Sequence, residues 1–172
     1  YDKDGLVSEH KAGDQEMRTW FVDNCAPGSF NGNISEAMVG ADIFIGVSAP
    51  DVLKEADIVA MAPGAIVFAL ANPDPEIDPT IARKYAAVVA TGRSDQPNQI
   101  NNVLAFPGIF RGLLDGRITK ITDAMLVAAA DAISSCVSSD QLNANFIVPS
   151  VFDTQVVTKV AEAIKLMGRS SS

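Results

Sequence analysis

A chain of 172 residues, 48% of them hydrophobic, can bury a core the size of one domain, which excludes an intrinsically disordered class. Its formal net charge of −8 argues against nucleic acid or an anionic membrane surface as partner, because phosphate binding needs a basic face. No apolar run nears the roughly 20 residues of a membrane helix, and no basic-then-apolar segment of the secretory kind is seen.

In chain order, the opening Tyr1-Asp2-Lys3-Asp4-Gly5 lacks an initiator methionine and reads as the start of a fragment. The one histidine, His10, sits in a polar stretch and is expected to be solvated. Met17, Trp20 and Phe21 share a helix face after a possible cap at Asp14. Asn33 followed by Glu36 predicts a capping box for a short helix that stops at Gly40. Three apolar, β-rich runs follow at Asp42–Val47, Ala65–Ala71 and Ala87–Thr91. They are nearly continuous rather than alternating, which predicts strands covered on both faces, as in a parallel sheet. Helical patterns separate them at 51–61, ended by Pro63-Gly64, and at 79–85, with proline near the first turn. The alternation predicts an α/β fold, a Rossmann-like open parallel sheet with flanking helices.

Beyond Thr91 the pattern changes. Residues 93–99 form a polar loop, and 102–114 reads as a helix interrupted by Pro107 and Gly108. An alanine-rich helix is expected at 122–137, and a short extended piece at 146–149. Asp153 then caps a last helix with the face Val156, Val160, Ala163, Ile164 and Met167. Phe152 and Val157 stand at staple spacing, and Gly168 is a plausible stop. Residues 1–168 are read as one domain with C-terminal helices, and 169–172 as a frayed tail or cloning remnant. Cys25 and Cys136 have no metal or redox spacing; they are expected as reduced, partly buried thiols in a cytoplasmic protein.

Open parallel sheets bind ligands beyond the carboxyl ends of their strands. The three runs end in Ser48-Ala49-Pro50, Asn72-Pro73-Asp74-Pro75 and Gly92-Arg93-Ser94-Asp95. These residues suit a cofactor rim, and they equally suit ordinary turns. The densest polar group is Asn98-Gln99-Ile100-Asn101-Asn102. A buried amide without a partner costs about 1–3 kcal/mol, so these four must be paired internally, exposed, or reserved for a ligand. Asp2 is either a terminal aspartate or the acidic residue that bonds an adenosine ribose. Asp74, Glu76 and Asp78, interleaved with proline, read as a solvated turn rather than a metal cluster. Tyr85 reads as packing.

The segments ADIFIGVSAP, FALANPDPEI, VVATGRSDQPNQINNVLAFPGIFRG and AAADAI resemble the C-terminal half of bacterial-type malic enzymes, from about Asp2 to Ile164. The resemblance implies a dinucleotide-binding domain that lacks its first strand and glycine-rich loop. The implied activity is oxidative decarboxylation of L-malate to pyruvate and CO2, with NAD or NADP and Mg²⁺ or Mn²⁺. By motif, Asn72 resembles a cofactor-contacting asparagine. Asn101 and Asn102 resemble the asparagines that meet nicotinamide and substrate, Ser48 and Ala49 line the cofactor cleft, and Asp2 sits near the adenosine ribose. Asp2 would repel a 2′-phosphate and Lys3 would attract one, which leaves NAD against NADP open.

The resemblance places the acid–base tyrosine, the lysine, the metal ligands and the phosphate loop upstream, so no catalytic residue and no metal ligand is assigned to this segment. Gln96 stands where the family commonly has an aromatic, and Asp51 and Ala86 where it commonly has glycine. The expected partners are malate or pyruvate, the remainder of the enzyme chain and further copies in a homo-oligomer. The segment alone is expected to be inactive. The alternative, from a different class, is a non-catalytic dinucleotide-sensing or assembly module.

Overall fold

The computed structural model describes residues 16–25, 30 and 32–169. Its elements are helix α1 (Glu16–Cys25), helix α2 (Ile34–Met38), strand β1 (Ile43–Gly46), helix α3 (Glu55–Val59), strand β2 (Ile66–Ala69), helix α4 (Pro79–Ala82) and strand β3 (Val88–Thr91). A 3₁₀ turn at Asn102–Leu104 leads into helices α5 (Phe106–Gly116), α6 (Asp123–Ser134) and α7 (Thr154–Arg169). The strands form one parallel sheet in the order β1-β2-β3, with Ile43 opposite Ile66 and Ile66 opposite Val88. The Rossmann-like α/β reading therefore holds, and its three strands fall inside the three apolar runs.

The capping box of α2 is present. Asn33 Oδ1 accepts from the Glu36 amide at 3.0 Å, and Glu36 Oε2 accepts from the Asn33 amide at 2.8 Å. Helices α3 and α4 are shorter than their patterns. Asp51 has φ 56°, a left-handed conformation that delays α3, which starts where Asp57 Oδ2 accepts from the Lys54 amide at 2.7 Å. Asp78 caps α4, its carboxylate accepting from both the amide (2.8 Å) and the hydroxyl (2.6 Å) of Thr80. Those bonds hold the Asp78 carboxyl below its ordinary pKa.

Coverage of both sheet faces is only partly correct. Val89, Ala90 and Thr91 of β3 are all buried, whereas Ile43, Ile45 and Val47 are 55%, 64% and 77% exposed. Side chains alternate along a strand. Phe44 therefore joins the core made by Met38, Ile58, Val67, Ile77, Ala82 and Val89, while the opposite side of β1 has no cover among the described residues.

Helices α5, α6 and α7 enclose a second core of Leu104, Ile109, Met125, Ala129, Val156, Val160 and Ile164. The expected interruption of α5 is overturned. Pro107 falls in the first turn, where its missing N–H is not needed. Gly108 and Gly112 are buried spacers: a Cβ on Gly108 would lie 2.5 Å from Val160 Cβ, and one on Gly112 would lie 2.6 Å from the Ala161 carbonyl oxygen and 2.7 Å from Ile164 Cβ. Helix propensity favours Ala over Gly by about 1 kcal/mol. Because backbone cannot move aside cheaply, Gly112→Ala is expected to lose about 3 kcal/mol to overpacking, a net destabilisation of about 2 kcal/mol. Urea unfolding of the variant checks this, and an unchanged or raised midpoint would refute the close α5–α7 contact.

Three smaller expectations also change. Gly168 does not stop the last helix, which runs to Arg169 with Gly168 packed on Ile118. Phe152 is 89% exposed, so the staple to Val157 is not made, although Asp153 does accept from the Gln155 amide at 2.9 Å. Residues 146–149 are not extended; Asn143 and Phe146 close a tight turn through paired backbone bonds. In α1, Trp20 and Phe21 stack edge to face at 5.5 Å, each about half exposed, and the Asp14 cap lies outside the described residues.

Candidate functional site

The carboxyl ends of β2 and β3 open on one cleft of about 920 Å³. Val47, Leu70 and Ala71 give it apolar lining, and Asn72, Gly92, Arg93, Asp95, Gln99, Asn101 and Asn102 line it with polar groups and backbone. Asn72 comes to the rim because β2 ends shortly before it, at Ala69. Asn101 and Asn102 come to it because Ile100 is tied to β3 through its amide, which donates to the Thr91 carbonyl at 2.8 Å.

The four amides separate into distinct duties. Asn98 is buried, with φ 58°, and is fully engaged: Nδ2 donates to the carbonyls of Val89 (3.0 Å) and Ala144 (2.7 Å), and Oδ1 accepts from the Ile147 amide (2.9 Å). Gln99 Nε2 makes a long bond to the Gly92 carbonyl at 3.4 Å. Asn101 Oδ1 caps the 3₁₀ turn by accepting from the Val103 amide at 3.1 Å. Asn72 and Asn102 are exposed, face the cleft, and have side chains that make no hydrogen bond among the described residues.

Of the residues named from the sequence, Asn72, Asn101 and Asn102 share this hollow. Ser48 and Ala49 do not line it, although the preceding Val47 does. Asp2 and His10 lie outside the described residues.

Two features, one at the rim and one buried behind it, escape the sequence reading. Arg93 forks onto Asp95, Nε to Oδ1 at 2.9 Å and Nη2 to Oδ2 at 2.8 Å, and its Nη1 lies 3.5 Å from Asp74 Oδ1. The bonded guanidinium holds the Asp95 carboxyl below the usual range, and Asp95 raises Arg93 in turn. The pair is solvent-exposed, so it shapes the cleft mouth and adds little stability. The i, i+2 spacing of Arg93 and Asp95 is its one signal in the sequence.

The other is Glu76, whose reading as part of a solvated turn is wrong: it is fully buried. Oε1 accepts from the amide (2.8 Å) and hydroxyl (3.3 Å) of Ser48, and Oε2 from the Ala71 amide at 3.0 Å. No local signal in the sequence marks it, because its donors come from two separate loops.

The departures from the family pattern have local accounts. Gln96 Oε1 accepts from Arg83 Nη1 at 2.6 Å, and Arg83 Nη2 is buried without a partner among the described residues. Asp51 occupies a left-handed position that glycine adopts without strain. Ala86 is buried behind α4. Tyr85 is not core packing: it is 46% exposed and its hydroxyl donates to Glu55 Oε1 at 2.6 Å, which raises its pKa. Cys25 is exposed rather than partly buried; Cys136 is half-buried, and that burial pushes its thiol up. Among the described residues no three His, Cys, Asp or Glu side chains gather in a way that could hold a metal ion. No helix among them is long and apolar enough to cross a membrane.

A parallel sheet whose strand tips and following loops open onto one cleft defines a Rossmann-like α/β domain. The family model described as malic enzyme, NAD binding domain, matches residues 1–167, and the chain belongs to that family. It is 49% identical to an NAD-dependent malic enzyme of Geobacillus stearothermophilus over 95% of this chain and 34% of that protein. It is 52% identical to a bifunctional malic/malolactic enzyme of Bacillus subtilis over 78% of this chain and 33% of that protein. The crystal structure of an NAD-dependent malic enzyme from Thermotoga maritima superposes with a TM-score of 0.86 at 42% identity, over 95% of this chain and 43% of that one. The malic enzyme of Entamoeba histolytica gives 0.89 at 35% identity, over 99% and 37%. The chain thus spans about a third of the length of these two curated relatives.

Proposed function

We propose that residues 1–168 are the cofactor side of a malic enzyme, an enzyme that oxidises and decarboxylates L-malate to pyruvate and CO2 while reducing NAD or NADP. One observation carries the reading: Asn72 and Asn102, from loops that follow different strands, turn unengaged amides into the same cleft. An exposed primary amide both donates and accepts, which suits a carboxamide or a carboxylate. The cleft volume lies in the range of small-ligand sites.

In this reading Asn72 and Asn101 contact the nicotinamide side and Asn101 and Asn102 meet the substrate. Ser48 and Ala49 belong to the adjoining loop, and Asp2 would sit at the adenosine ribose. NAD or NADP supplies the hydride acceptor when bound. The chain's own part is positioning: it must hold the reacting carbons roughly 3–3.5 Å apart and keep water from the transfer. Among the described residues no cluster of ligating side chains suits a divalent metal, and the Mg²⁺ or Mn²⁺ of this reading is assigned by proposal to ligands upstream. The parent is proposed to be cytoplasmic.

The test is the full-length parent enzyme with malate and Mn²⁺, followed by reduced-cofactor absorbance with NAD and NADP in turn. Turnover is expected from the parent and none from this 172-residue segment. A parent that binds neither cofactor would end the reading.

Self-association is part of the same proposal. Ile43, Ile45 and Val47 line one exposed side of β1, an edge strand of the described sheet. Bare apolar edges associate. The isolated chain is therefore expected to scatter light as a multimer, and Ile45→Glu to shift it towards the monomer; a monodisperse unmodified monomer would count against this.

A further inference from the structure

We propose that Glu76 is a positioning residue of the cofactor cleft, clamping the loops after β1 and β2 in one geometry from beneath; this rests on the cofactor reading above. Glu76 does not line the cleft. Its side chain is fully buried, and its two oxygens divide between the loops after two strands: Oε1 takes the amide and hydroxyl of Ser48, while Oε2 takes the amide of Ala71. Val47 and Ala71–Asn72, on either side of this bridge, are cleft-lining residues.

The surroundings are shaped to hold the carboxylate there. Gly46, the last residue of β1, leaves room that a Cβ would fill, since it would lie 2.5 Å from both Glu76 Cδ and Oε1. The main chain of the same segment is fixed as well: the Leu53 amide donates to the Glu76 carbonyl at 3.0 Å, and the Asp51 amide to the Pro75 carbonyl at 3.2 Å. The loop after β1 is therefore held at its start by the side chain and at its end by the backbone of one segment. Burying a carboxylate is costly, and hydrophobic packing alone would be met by an apolar residue. Only an acceptor with two oxygens satisfies donors from both loops at once. The placement of Asn72 on the rim depends on this link, because Ala71 is its chain neighbour.

Glu76→Gln keeps volume and removes half of the clamp. An amide accepts at its one oxygen, and its NH₂ would face the remaining backbone N–H, donor against donor. In the full-length parent enzyme the variant is expected to bind NADH, followed by its fluorescence, roughly ten- to hundredfold more weakly. The KM for malate at saturating cofactor should change less than about threefold, because the Asn101–Asn102 loop is held from β3 rather than by Glu76. Val160→Ala, a cavity in the second core, serves as the control for lost stability and should leave NADH affinity unchanged. A folded Glu76→Gln enzyme with unaltered NADH affinity would overturn the proposal.

Should that variant not fold, amide hydrogen exchange in the unaltered enzyme decides the matter. The Ser48 and Ala71 amides lie outside the strands and should nonetheless be protected; exchange at the rate of open loop amides would overturn the clamp. Failure of the unaltered parent to bind NADH would count against the cofactor reading, and hydrogen exchange would still judge the clamp.

Discussion

Asn98→Ala is expected to lower unfolding free energy by about 3–4 kcal/mol, a large share of the roughly 5–15 kcal/mol of a domain. Two terms add. Removing the amide leaves the carbonyls of Val89 and Ala144 and the amide of Ile147 without their partner, in a site where Asn98 itself is buried. Unsatisfied buried groups of this kind cost about 1–3 kcal/mol. The backbone adds the second term: Asn98 has φ 58°, which asparagine tolerates and alanine resists by about 1 kcal/mol. Asn98→Gly separates them, since glycine loses the bonds without the strain, and it should recover about 1 kcal/mol relative to alanine. Chemical denaturation of both variants measures the difference. A loss below about 1 kcal/mol for Asn98→Ala would show that the 144–147 turn is not anchored through this side chain.

That expectation exposes the limit of reading the amide run from sequence. Asn98, Gln99, Asn101 and Asn102 are equivalent as letters, and composition says only that each must find a partner or water. Which of them turns inward is decided by a turn 46 residues further on, at Ala144, and contacts of that range leave no local pattern.

The same division holds for the fold. The three strands and the Asn33 capping box are legible because period, propensity and capping act within a few residues. Glycines do not announce their reason: Gly108 and Gly112 look like helix breakers in α5, and they are the surface against which α7 packs. Glu76 is illegible for a related cause. Acidic residues among prolines usually mark a solvated turn, and only the parallel pairing of β1 with β2 brings two amides within reach of one carboxylate.

At the exposed amides, function and stability can be pulled apart. Asn102→Ala in the full-length parent enzyme is expected to lower kcat/KM for malate by about 100-fold, the effect of removing a hydrogen-bonding group worth roughly 2–3 kcal/mol in a desolvated transition state. Stability should stay within about 0.5 kcal/mol, because the side chain is exposed and makes no hydrogen bond among the described residues. Asn101→Ala is less clean: it also removes the cap on the Val103 amide, worth about 1 kcal/mol, so folding and catalysis would fall together. The informative outcome is the contrast between neighbours in one short run, with Asn98→Ala destabilising the fold and Asn102→Ala leaving it folded and nearly inert. An Asn102→Ala enzyme within about threefold of the unaltered kcat/KM would mean that malate meets other groups, and that this wall of the cleft serves the cofactor alone.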